Sequence, residues 1–125
     1  MFYIKAEGKK YAGVHILLDM WYQSEPSIDT VKIFIEKVLQ LSGSKMIEIM
    51  SHEFNAHGGI SVLALLSQSH ISFHSWPEYK YAAIDIFLCG DILYDELSAI
   101  IEKVFLPQRI EISLHNRGII VENAP

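Results

Sequence analysis

Cysteine is almost missing from this chain: a single residue, Cys89, stands among 125. One thiol cannot close an internal disulfide, so the chain suits a reducing compartment. Positive charge is scarce too. Ten Lys and Arg face fifteen Asp and Glu, for a net charge of −5 and a pI near 5.6. No basic stripe is available to meet phosphates, which argues against nucleic acid or an anionic membrane as a partner. No apolar run reaches the roughly 20 residues that a bilayer-spanning helix needs. The opening Met-Phe-Tyr-Ile-Lys-Ala-Glu-Gly-Lys-Lys is too polar for a secretory signal. The cytoplasm is the expected location. Internal repeats, low-complexity tracts and an interdomain linker are likewise missing.

What the chain has in plenty is apolar surface. Half its residues are hydrophobic, enough for a compact core and too many for disorder. The length suits one domain spanning residues 1–125 and is short for two.

Taken in order, residues 1–10 read as a loose lead-in. Residues 11–22 read as a strand, Val14, Ile16 and Leu18 alternating against His15, Leu17 and Asp19. Pro26 and Ser27 announce a helix, with Ser27 as its cap and Ile28, Val31, Phe34, Ile35, Val38 and Leu39 on one stripe. Gly43 stops it. Lys45 to Phe54 reads as a strand, and residues 55–59 as a loop with paired glycines. Three strands follow between Ser61 and Gly90. Asp91 is a good N-cap for a second helix that turns Leu93, Leu97, Ile100, Ile101 and Val104 inward and Asp95, Glu96, Glu102 and Lys103 outward. Beyond Pro107, Arg109 to His115 alternates as a last strand, and the tail from Asn116 could add a short edge piece. This order predicts an α+β fold: a two-layer sandwich, with an antiparallel-rich sheet carrying two helices on one face.

The segment from Ser61 to Gly90 holds most of the reactive side chains. Side chains alternate along a strand, so His70, Ser72 and His74 oppose Ile71 and Phe73. Likewise Ala83, Asp85, Phe87 and Cys89 oppose Ala82, Ile84, Ile86 and Leu88. If the apolar faces share one core, His74 and Cys89 lie together on the other face, a plausible reaction site. That face also carries Leu63, Leu65 and Phe87, too apolar for water, and a second protomer is its simplest cover. His52, His57, His70 and His74 invite a metal reading, but their spacings fall on a loop and a strand with no acidic partner at ligand spacing. No metal is expected.

The run Ser-His-Ile-Ser-Phe-His-Ser-Trp-Pro-Glu, then Tyr-Ala-Ala-Ile-Asp-Ile-Phe-Leu-Cys-Gly, closely resembles the signature of the small prokaryotic S-adenosylmethionine decarboxylases. Gly13-Val-His-Ile-Leu-Leu-Asp19 looks like that family's opening strand, and Gly59-Ile-Ser61-Val like the strand before its processing site. The resemblance covers roughly residues 11–107. It implies an enzyme that makes its own pyruvoyl cofactor by cutting itself between Gln68 and Ser69, then forms a Schiff base with the substrate amine. Decarboxylated S-adenosylmethionine would supply spermidine synthesis. Carried over residue by residue, Ser69 is the pyruvoyl precursor, His74 the processing base, Ser61 its assistant and Cys89 the proton donor. Phe54 and Trp76 would stack on adenine, Glu78 would hold the ribose, and the protein would be a homodimer. By residue type alone each has a plainer reading: a solvated serine, a strand histidine, a small buried thiol.

Three departures stand out. Gln68 replaces the family's usual glutamate, Ala56 stands for a usual proline in a loop one residue longer, and Ser75 replaces a threonine while keeping the hydroxyl. They leave two rivals open: a pyruvoyl decarboxylase of a basic amino acid such as ornithine or arginine, and an uncleaved, inactive homologue acting as a dimerising partner.

Overall fold

The structure is a computed structural model that describes residues 4–6, 9–56, 58–89, 92 and 94–121. Expectations placed on His57, Gly90, Asp91, Leu93 and residues 122–125 lie outside that set. In chain order the elements are β1 (Ile4–Ala6), β2 (Lys9–Trp21), α1 (Ile28–Ser42), β3 (Met46–Glu53), β4 (Ile60–Leu66), β5 (Ser69–Trp76), a 3-10 turn (Pro77–Tyr79), β6 (Tyr81–Leu88), α2 (Tyr94–Phe105) and β7 (Arg109–Val121). Among the described residues the strands form one seven-stranded sheet with every pairing antiparallel. β2, β6, β5, β4 and β3 run across it in that order, and β7 closes the other edge of β2. Lys10 and Tyr11 of β2 already have β7 on one side, so β1 lies on the side that β6 takes further along.

Each helix forms for local reasons. The Ser27 hydroxyl accepts the Thr30 N–H at 3.1 Å, satisfying one of the first-turn donors that have no partner inside the helix. At the far end Gly43 takes φ +74° and returns its N–H to Leu39 O, a left-handed cap that glycine adopts without penalty. α1 buries Val31, Phe34, Ile35, Val38 and Leu39, and α2 buries Leu97, Ile101 and Phe105. Phe105 joins the layers, its ring 5.1 Å from Phe34 on α1 and 5.8 Å from Phe73 on β5. Asp95, Glu96, Glu102 and Lys103 face water.

The alternation predicted for the sheet holds. β2, β4, β5 and β6 turn Val14, Ile16, Leu18, Val62, Ala64, Ile71, Phe73, Ile84 and Ile86 into the core beneath the helices. Each of these side chains larger than alanine contributes about 1.5–3 kcal/mol through burial. Both helices therefore lie on one face, and among the described residues no element covers the opposite face.

Two expectations at the ends need correction. Residues 1–10 are not simply a lead-in: they contain β1 and the start of β2. The last strand does not stop at His115 but runs to Val121. The reason is shared, because Lys10 pairs with Val121 and Tyr11 with Ile119. The two segments supply each other with backbone partners, which local sequence does not reveal.

Candidate active site

On the uncovered face, antiparallel register sets which side chains meet. Ser61 on β4 stands opposite His74 on β5, and the serine Oγ lies 2.8 Å from His74 Nδ1. Around this pair Phe54, Ala56, Gly59, Ser75, Trp76, Pro77 and Glu78 line a cavity of about 330 Å³. The sequence candidates Phe54, Ser61, His74, Trp76 and Glu78 thus share one pocket. Gly59 is required by close approach, since a Cβ there would sit 2.9 Å from the Ser75 carbonyl oxygen.

Behind the pocket the structure adds residues that the sequence reading missed. The buried Ser75 hydroxyl accepts the Ile60 N–H at 3.0 Å and donates to Glu25 Oε1 at 2.9 Å. The Tyr22 hydroxyl donates to the same carboxylate. Burial first, and then that hydrogen bond, raise the Tyr22 phenol well above its ordinary pKa. Glu25 therefore ties the β2–α1 connection to the pocket wall. On the open face Trp76 stacks on Tyr81 (5.5 Å), Tyr81 meets Trp21 (5.4 Å), and the Arg109 guanidinium covers Trp21 at 4.2 Å. Tyr81 donates to Asp19, and burial followed by that bond pushes its pKa up to about 12. Trp76 is thus braced by a row crossing four strands. The short connection from Trp76 to Tyr81 was a usable sign of their pairing. Nothing local pointed to Glu25.

The other candidates sit at the opposite end of the same strands. Ser67 and Gln68 form the tight turn between β4 and β5, since Leu66 pairs with Ser69. Ser69 is buried, 6% exposed, and its hydroxyl donates to the Ser67 carbonyl at 3.2 Å. Half-buried Cys89 lies beside the turn, its Sγ 4.0 Å from the same oxygen. Cys89, one residue past β6, and His74 are not gathered at one point. At about 3.3 Å per residue, five residues along β5 separate Ser69 from His74 by roughly 16 Å. Within one chain the serine–histidine pair cannot touch the Gln68–Ser69 bond. The candidate residues fall into two groups, one at each end of the β4–β5 hairpin.

Among the described residues no group of three or more His, Cys, Asp or Glu is gathered as a metal site, and no helix is long and apolar enough to cross a membrane.

A paired serine and histidine in an aromatic-walled pocket of small-molecule size, on a two-layer α+β scaffold, make a site suited to acid–base chemistry. Comparison with known proteins gives the family. The model of the S-adenosylmethionine decarboxylase family matches residues 14–118. The S-adenosylmethionine decarboxylase proenzyme of Methanococcus maripaludis (strain C5) is 37% identical over 117 residues, covering 89% of this chain and 93% of that protein. The proenzyme of Thermomicrobium roseum is 32% identical over 115 residues, covering 90% and 99%. The crystal structure of the adenosylmethionine decarboxylase from Aquifex aeolicus is similar with a TM-score of 0.74 at 28% identity, covering 92% of this chain and 98% of that one. The chain belongs to the S-adenosylmethionine decarboxylase family.

Proposed function

We propose that this protein is a pyruvoyl-dependent S-adenosylmethionine decarboxylase, cut by itself between Gln68 and Ser69, whose active sites are each shared by two protomers of a homodimer. The observation that carries the reading is the separation just described. A binding pocket with its serine–histidine pair lies at one end of the β4–β5 hairpin, and the serine to be converted lies at the other.

A second copy resolves the separation. Two sheets packed face to face stand about 10 Å apart. A two-fold axis parallel to the sheets and perpendicular to the strands reverses strand direction. It sets the pocket end of one hairpin over the turn end of its partner, twice per dimer. Leu63 and Leu65, 46% and 50% exposed, lie between the two ends and would be covered. The shape supports a cut chain as well. The Gln68–Ser69 bond is in a turn, while β4 keeps its ladder to β3 and β5 its ladder to β6. Opening the turn costs neither strand its place.

In this reading Ser69 Oγ attacks the Gln68 carbonyl carbon, the amide C–N bond breaks, and the hydroxyl proton passes to the freed nitrogen, leaving an ester. His74 of the facing protomer, its ring held by Ser61, takes the Ser69 α-proton. Elimination then releases the Gln68 carboxylate, and water replaces the nitrogen, which leaves as ammonia. The resulting pyruvoyl group supplies an electron sink for carbon dioxide loss. Phe54 and Trp76 offer aromatic faces to the adenine, Glu78 a carboxylate to the ribose hydroxyls, and Cys89, beside residue 69, a proton to the substrate carbon.

Intact-mass spectrometry and release of labelled carbon dioxide test the reading. Two fragments, residues 1–68 and 69–125, with release from carboxyl-labelled S-adenosylmethionine, are expected. A single full-length mass from folded protein would instead favour the inactive partner. Release from ornithine or arginine alone would favour the basic amino acid decarboxylase.

A further inference from the structure

The turn that would be cut has an unusual backbone. Gln68 has φ +62°, in the left-handed region, and Ser67 has no positive φ. Positive φ at the second central residue alone is the φ pattern of a type II turn, a position that favours glycine. Two-residue hairpins prefer the primed turns, whose twist matches that of the strands. Gln68 therefore carries a Cβ where its backbone disfavours one, in a turn of the less suitable hand. The conformation is imposed from outside: Leu66 pairs with Ser69, the Ser67 N–H donates to Lys45 O at 3.0 Å, and the Ser69 hydroxyl holds the Ser67 carbonyl. Such strain persists only where the surroundings over-determine it.

We infer that this left-handed backbone at Gln68 is stored strain that speeds cleavage of the Gln68–Ser69 bond. The inference rests on the self-cleavage reading and deepens it. When Ser69 Oγ takes the acyl group from the Ser69 nitrogen, the link from the Gln68 carbonyl to the Ser69 Cα runs through Oγ and Cβ instead of the nitrogen and is one atom longer. The turn is then no longer closed by two residues, and Gln68 is free to leave the left-handed region. Strain present in the intact chain and relieved along the path lowers the barrier. This also gives a physical use to a non-glycine residue at this position, whether or not its side chain carries a charge. The left-handed region disfavours a side chain with a Cβ by a factor of about ten, which bounds the acceleration.

The test substitutes Gln68→Gly and Gln68→Asn, both tolerant of positive φ, in two backgrounds. In the uncleavable Ser69→Ala chain both should raise Tm, glycine more. In the cleavable chain, freshly translated and followed by intact mass, Gln68→Gly should slow cleavage by up to about tenfold and Gln68→Asn by less. A merely structural residue would raise Tm and leave the rate alone. Leu106 supplies the control: its φ is +47° in an exposed turn after α2, so Leu106→Gly should leave cleavage unchanged. An unchanged or lower Tm in the Ser69→Ala background overturns the inference, as does cleavage by Gln68→Gly at or above the wild-type rate. The two readings fail differently. No cleavage in any variant refutes self-cleavage itself, whereas cleavage indifferent to Gln68→Gly refutes only the strain.

Discussion

Replacing Leu63 and Leu65 together by serine should separate the proposed dimer while leaving each protomer folded. Both project from β4 onto the uncovered face, 46% and 50% exposed, outside the core beneath the helices. Burying a leucine side chain completely is worth about 1.5–3 kcal/mol. With roughly half of each already covered, the partner would add about 1 kcal/mol per leucine. Two leucines on each of two protomers come to roughly 4 kcal/mol, or about a thousandfold in dimer Kd. Sedimentation velocity over a dilution series reads the association, and circular dichroism checks that the fold survives. In the proposed shared site His74 acts across the interface, so the separated variant should also stay uncut. If it dimerises with unchanged Kd, or cleaves at a rate independent of concentration while monomeric, the shared-site account is wrong.

Three further outcomes follow from the pocket and its supports. Ser75→Ala leaves the buried Ile60 N–H without its acceptor and should cost about 1–3 kcal/mol, seen as a fall of several degrees in Tm, with Ser75→Thr restoring it. Trp76→Ala should raise KM for S-adenosylmethionine about tenfold or more through lost stacking and leave cleavage at Gln68–Ser69 intact by mass. The Tyr81 phenol is raised from its ordinary value near 10 to about 12. Its stabilising contribution is therefore complete below pH 10 and lost as pH rises through about 12. Denaturant midpoints taken across that range should fall less in Tyr81→Phe than in the wild type.

The fold was largely legible because its signals are local. Ser27 and Gly43 bracket α1, and the alternation in Ser69–Trp76 and Tyr81–Leu88 separates core from open face without reference to any partner. Lys9 and Lys10 were read as lead-in and residues 116–121 only as a short edge piece, because the partners that make them strand, Val121 for Lys10 and residues 10–14 for the tail, lie about a hundred residues away. The site divided along the same line. Parity tells which face a side chain takes, and on it Cys89 and His74 were expected on one face. It does not tell which end of the sheet they occupy. Register does, and register pairs Ser61 with His74 at one end and Leu66 with Ser69 at the other. Glu25 escaped notice because its link to Ser75 spans fifty residues.

Co-expression of two individually defective chains tests the shared active site most directly. Ser69→Ala has no serine to convert but keeps His74, and His74→Ala keeps Ser69 without the base. In a mixed dimer one composite site joins Ser69 of the second chain to His74 of the first, and the other site is dead. Intact-mass spectrometry distinguishes the chains by their substitutions. The account predicts that the His74→Ala chain stays whole alone and is cut between Gln68 and Ser69 only when the Ser69→Ala chain is present. Cutting of the His74→Ala chain at the wild-type rate without its partner, or no cutting in verified mixed dimers, would contradict it.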